Sequence, residues 1–63
     1  MGTIIELESC GRFITARLGN GVTISCKLSL TDCGESEPLD AFVARHGGPD
    51  ATADYLLGCY RDQ

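Results

Sequence analysis

The chain has few of the features that mark enzymes and membrane proteins. It has no tryptophan and one histidine, and no apolar run approaches the ~20 residues that a membrane span requires. The amino terminus lacks the basic and apolar regions of a secretion signal, so we expect a cytoplasmic protein. The 63 residues form one domain, 1–63, with a thin core, because chains of this size bury only about 60% of their unfolded surface.

Candidate catalytic groups are scarce. A nucleophilic thiol or hydroxyl needs a base within reach, and the only imidazole belongs to His46, on the apolar face of a predicted helix. That position favours a packing or capping role over general base catalysis. We therefore expect no catalytic residues and no cofactor, and a thiol-dependent enzyme is the third interpretation of this sequence.

Four cysteines are spread along the chain. They are Cys10, Cys26, Cys33 and Cys59. No two lie at the close spacing of a zinc site or a redox dithiol, so the sequence predicts no metal centre. Reduced structural thiols are expected in the cytoplasm, and a disulfide such as Cys10 with Cys33 is the alternative.

Residues 3–30 carry the pattern of a β-meander. Apolar residues alternate in three runs, which predicts three strands with one buried face. The predicted buried residues are Ile5, Leu7, Ile14, Ala16, Leu18, Val22, Ile24, Cys26, Leu28 and Leu30. The predicted outer face holds Ile4, Glu6, Glu8, Phe13, Thr15, Arg17, Thr23, Ser25 and Lys27.

The turns between these runs predict the strand register. Cys10-Gly11 is typical of a two-residue turn, which would pair Leu7 with Ile14 and Ile5 with Ala16.

The second turn is a three-residue loop at residues 19–21, with Gly21 in the left-handed conformation. It would pair Leu18 with Val22 and Ala16 with Ile24. Both turns put the predicted buried residues on one face of an antiparallel sheet in the order 1-2-3.

Helical spacing follows a polar loop at residues 31–37. The first helix is predicted at 38–47, where Gly47-Gly48 ends it, and the second at 50–61. Asp50 is the expected cap of the second helix. The apolar positions are Leu39, Phe42, Val43 and His46 in the first helix, and Ala53, Leu56, Leu57 and Tyr60 in the second. The fold class is therefore α+β: a three-stranded antiparallel β-meander followed by two short α-helices packed on one face.

The charge is divided unevenly between the two halves of the chain. Residues 1–31 hold two acids and three bases, whereas residues 32–63 hold seven acids and two bases. The candidate partner-binding residues are Asp32, Glu35, Glu37, Asp40, Asp50 and Asp54. An acidic surface repels phosphate and attracts basic protein surfaces, so direct nucleic-acid binding there is unfavourable. The alternative is that these acids form a solvated face that only confers solubility.

One stretch of about thirty residues resembles a known family. Its segments are Gly2-Thr3-Ile4-Ile5-Glu6, Gly11-Arg12-Phe13 and Leu18-Gly19-Asn20-Gly21-Val22, ending at Leu28-Ser29. They are similar to the first strands of bacterial translation initiation factor one and related S1-type OB domains, in which the sheet face binds RNA. The resemblance implies an RNA-binding module that uses Phe13, Arg17 and Lys27.

The whole chain is also similar in type to another class of proteins. A tiny, acidic, catalytically empty domain resembles phage and mobile-element inhibitors of the anti-CRISPR kind, several of which are DNA mimics. The resemblance implies a stoichiometric inhibitor in the host cytoplasm, bound to the DNA-recognition site of a CRISPR surveillance complex or a similar basic surface. We expect a monomer or a weak homodimer.

Overall fold

A computed structural model describes residues 3–63, so Met1 and Gly2, the latter part of the OB-like stretch, lie outside the described residues. The strands are β1 (Ile4–Cys10), β2 (Phe13–Leu18) and β3 (Thr23–Lys27). A 3-10 turn at Leu28–Leu30 follows, and then the helices α1 (Leu39–Arg45) and α2 (Pro49–Arg61). The described chain is therefore a three-stranded antiparallel sheet followed by two helices, and the predicted α+β class is confirmed.

The second hairpin has the predicted register. Ala16 lies opposite Ile24 in the β2–β3 pair, and the Leu18 amide donates to the Val22 carbonyl at 2.8 Å. Gly21 has φ of 87°, the left-handed conformation that the three-residue loop requires. The strand order 1-2-3 is also confirmed.

The predicted register of the first hairpin is wrong by two residues. Leu7 pairs with Ala16 rather than with Ile14, and Cys10 pairs with Phe13. The turn residues are therefore Gly11 and Arg12, and Gly11 takes φ of 60° at the first of these positions, as a type II′ turn requires. Alternation could not detect this error, because a shift of two residues leaves every side chain on its own face.

Three residues predicted to be buried are exposed. Ile5 is 55% exposed because an irregularity between Ile4 and Glu6 adds an extra residue to β1, which turns Ile4 to the core instead. Val22 is exposed next to the turn. Leu30 is exposed because β3 ends at Lys27 and the 3-10 turn breaks the alternation.

Helix α1 is shorter than the predicted 38–47, but its apolar face is confirmed. Phe42 is fully buried, and Leu39 and Val43 are partly buried. The Gly48 amide donates to the Val43 carbonyl at 3.0 Å, and Gly47 donates to Ala44 at 3.1 Å. Both glycines have positive φ, so the helix ends in a Schellman motif.

Helix α2 begins one residue before the predicted start, and its predicted buried face is confirmed at Ala53 and Leu56 but is wrong at Tyr60. Thr52 and Cys59 are buried, whereas Tyr60 is 45% exposed. These two polar side chains can be buried because each has a carbonyl acceptor: Thr52 donates to Gly48 at 2.7 Å, and Cys59 donates to Leu30 at 3.4 Å. No side chain caps the amides of α2, so the predicted role of Asp50 is also wrong.

The core lies between the sheet and the helices. It is formed by Ile14, Ala16, Ile24, Cys26, Cys33, Phe42, Leu56 and Cys59. Within residues 3–63, no helix has the length and apolar character needed to cross a bilayer.

Candidate functional site

One arginine fixes the acidic loop to helix α1. Arg45, at the end of α1, donates from Nε and Nη2 to the Glu37 carboxylate at 3.0 and 2.9 Å. It also donates to both carboxylate oxygens of Asp32, at 3.2 and 3.3 Å, and to its backbone carbonyl at 3.1 Å. Such bidentate pairs are among the stronger hydrogen bonds of proteins. We call Asp32, Glu37, Arg45 and His46 the Arg45 cluster.

Two aromatic rings, those of Phe42 and Tyr55, pack against the Arg45 cluster. The His46 Nε2 lies 2.9 Å from Asp32 Oδ1, and the ring packs against Phe42 and Tyr55 with centroid distances of 4.8 and 4.2 Å. The Tyr55 hydroxyl accepts a hydrogen bond from the backbone amide of Asp32 at 2.8 Å. The loop is thus joined to both helices, and His46 has the packing role that its sequence position predicts.

The Arg45 cluster lowers the pKa values of its two acids. The hydrogen bonds from Arg45 and then His46 lower the pKa of Asp32 to about 2, and Arg45 also lowers the pKa of Glu37. The same contacts raise the pKa of Arg45 above its already high value. All three groups are therefore charged across the physiological range.

Cys33 belongs to the loop, and it is buried, with only 8% exposed. Burial raises the pKa of its thiol, and the charge of Glu37 raises it further, so this thiol is a poor nucleophile at neutral pH. Among residues 3–63, no hydrogen bond joins His46 to a cysteine, and all four thiols are free, including Cys10 and Cys33 of the alternative disulfide.

The six candidate acids fall into two groups. Asp32 and Glu37 are engaged by Arg45 within the protein. The others are exposed and, across residues 3–63, have no ion-pair partner: Glu35 in the loop, Asp40 on α1, and Asp50 and Asp54 on α2. The structure thus joins two of the six to one cation and leaves four facing solvent.

The alternative residues on the sheet do not form one site either. Arg17 forms an ion pair with Glu6. Phe13 and Lys27 are cross-strand partners and line an open groove of about 780 Å³. The groove is also lined by Arg12, Leu28, Ser29, Thr31, Cys33 and Glu35. Two cations, Arg12 and Lys27, and the ring of Phe13 therefore line one groove beside the first hairpin turn.

Two residues of these sites were not predicted from the sequence. Arg45 is the only lysine or arginine between residues 32 and 60, so its isolation among acids was a signal for an internal ion pair. Arg12 was missed because the first hairpin was assigned the wrong turn, and the observed turn places it beside the groove.

Comparisons with known proteins place the chain in no group. No family model, no curated protein and no solved structure matches it. Within the described residues, no group of three or more histidine, cysteine and acidic side chains is arranged to hold a metal ion.

Proposed function

We propose that this protein is a non-catalytic inhibitor or adaptor that presents an acidic surface to the basic, nucleic-acid-binding site of a partner protein in the cytoplasm. The observation that carries the proposal is the division of the candidate acids. Arg45 pairs with two of them and holds the loop, while Glu35, Asp40, Asp50 and Asp54 remain exposed.

The helices give these carboxylates a fixed scaffold. Asp50 and Asp54 are four residues apart on α2, and this helix is anchored in the core by Leu56. Residues four apart lie on the same side of a helix, so the two charges point in similar directions. Like charges held together on a rigid element repel each other, and this repulsion is relieved when cations of a partner bind.

Each exposed carboxylate would stand in for a DNA phosphate. It would accept charge-assisted hydrogen bonds from an Arg or Lys that otherwise contacts the nucleic-acid backbone. This class includes DNA mimics of the anti-CRISPR type, for which the target is a surveillance complex. Asp32 and Glu37 would support the surface through the Arg45 cluster rather than contact the partner.

Three double variants with the same charge change test the proposal. Asp50→Asn/Asp54→Asn and Glu35→Gln/Asp40→Asn remove two candidate acids each, and Glu8→Gln/Asp62→Asn removes two acids outside the candidate set. Each pair changes the net charge from −4 to −2.

The native chain and the variants are used to capture proteins from a host lysate at low and high salt. We expect the native chain and the control variant to recover a DNA-binding protein, and both variants that lack candidate acids to lose it. Purified chain should displace duplex DNA from that protein at a one-to-one ratio, and higher salt should weaken capture. Equal recovery by all three variants, or capture that ignores salt, would falsify the proposal.

The groove supports a second candidate, the RNA-binding module, with a changed set of residues. Phe13 can stack on a base and Lys27 can contact phosphate, with Arg12 in place of Arg17 as the second cation. The test is fluorescence anisotropy with a single-stranded RNA oligomer. Arg12→Gln should weaken binding, whereas Arg17→Gln should leave it unchanged; a native chain that leaves the anisotropy unchanged excludes this function.

A further inference from the structure

The open edge of β3 is covered by one side-chain amide. The Gln63 Oε1 accepts the Lys27 amide at 2.7 Å, and its Nε2 donates to the Ser25 carbonyl at 3.0 Å. An amide that donates to one residue and accepts from the residue two positions away reproduces the contacts of a neighbouring strand. Gln63 therefore occupies the place where another strand would pair.

The pairing pattern shows which backbone groups are available at this edge. Ile24 and Cys26 lie opposite Ala16 and Ile14 in the hairpin ladder. The alternate residues Thr23, Ser25 and Lys27 direct their backbone amides and carbonyls outward, since Gln63 reaches two of them. β3 thus offers a short regular edge.

The other edge of the sheet is protected in a different way. β1 has an irregularity between Ile4 and Glu6, and bulges and charges are common means of preventing edge pairing. An antiparallel pairing of two β1 strands about Leu7 would also set Glu6 against Glu8 of the second copy, where like charges repel.

β3 has no bulge, and Lys27 is its only charged residue. It contains no acid, and its described register to β2 is regular. A two-fold pairing about Ser25 sets Lys27 against Thr23 of the second copy, so no like charges face each other. Charge therefore permits self-pairing at β3, whereas it opposes self-pairing at β1.

We propose that the edge of β3 is a pairing site for a second copy of this chain, and that Gln63 keeps it closed. When the Gln63 amide leaves, two molecules join their sheets into one antiparallel sheet of six strands. This self-association surface is independent of the acidic surface proposed above.

The proposal is tested by removing the amide. Gln63→Ala should convert a monomer of 6.7 kDa into a concentration-dependent dimer of twice that mass in sedimentation experiments. The amide of Lys27 should exchange with deuterium roughly tenfold faster in dilute Gln63→Ala, because it loses one hydrogen bond. Gln63→Glu is a partial control, since it keeps the acceptor and loses the donor.

A proline at the edge makes the test specific. Thr23 is the first residue of β3 and directs its amide outward, a position that tolerates proline. Gln63→Ala/Thr23→Pro should therefore return to a monomer while the hairpin remains. A Gln63→Ala chain that stays monomeric at all concentrations, a Lys27 amide with unchanged exchange, or a dimer that survives the proline would each overturn the proposal.

Discussion

Phe42 connects the hydrophobic core to the Arg45 cluster, which holds the loop at residues 31–37. It is fully buried and is the only buried residue of α1. Its ring contacts His46 and Tyr55, and the Arg45 guanidinium lies 5.7 Å from the ring centroid. Loss of this ring should therefore detach both α1 and the Arg45 cluster.

The expected magnitude is large relative to the stability of the protein. Truncation of a buried Phe to Ala costs about 3–5 kcal/mol. A 63-residue domain has a total free energy of unfolding of roughly 3–9 kcal/mol. Phe42→Ala should thus remove between about a third of the stability and all of it.

Urea denaturation measures this loss. With an m-value of about 1 kcal/mol/M, the midpoint for Phe42→Ala should fall by about 3–5 M. Phe42→Leu retains part of the apolar volume and should lose less, which keeps a measurable transition if the Ala variant does not fold.

Phe13→Ala is the matched control, because the same atoms are removed from a ring that is 42% exposed. Its cost should be about 1 kcal/mol or less, as for other cross-strand pairs. Similar midpoints for the two Ala variants would refute the placement of Phe42 in the core.

Three further predictions concern pH, backbone conformation and thiol reactivity. The pKa of Asp32 is lower in the folded chain than in the unfolded chain, so its contribution is present above about pH 4 and is lost as the pH falls towards 2. Thermal melting in this range should show that loss in the native chain and much less of it in Arg45→Met; identical pH profiles would argue against the ion pair. Gly11→Ala should lower the melting temperature because φ is 60° there, and a higher melting temperature would contradict the turn assignment. Gly58→Ala should raise the melting temperature by several degrees, since the added methyl meets open space in a helix. A thiol reagent should modify exposed Cys10 rapidly and the three buried cysteines only after unfolding, and fast modification of more than one thiol in the native chain would contradict this burial.

The sequence alone determined the fold class and most of the elements. The alternation of apolar and polar residues predicted three strands, because a strand buried on one face places every second side chain in the core. The three-residue loop then determined the second hairpin, including Gly21, and Gly47-Gly48 determined where α1 ends. These are local effects, which neighbouring residues decide.

The tertiary structure decided the features that depend on distant contacts. The burial of Cys59 on α2 is one example, because its thiol donates to the carbonyl of Leu30, 29 residues earlier in the chain. The acids illustrate the same limit. The sequence placed the six candidate acids in the second half, but only the approach of Arg45 to Asp32, thirteen residues earlier, decided which acids hold the loop and which remain exposed. Charge is a property of the sequence, whereas pairing depends on distance, and the folded chain fixes that distance.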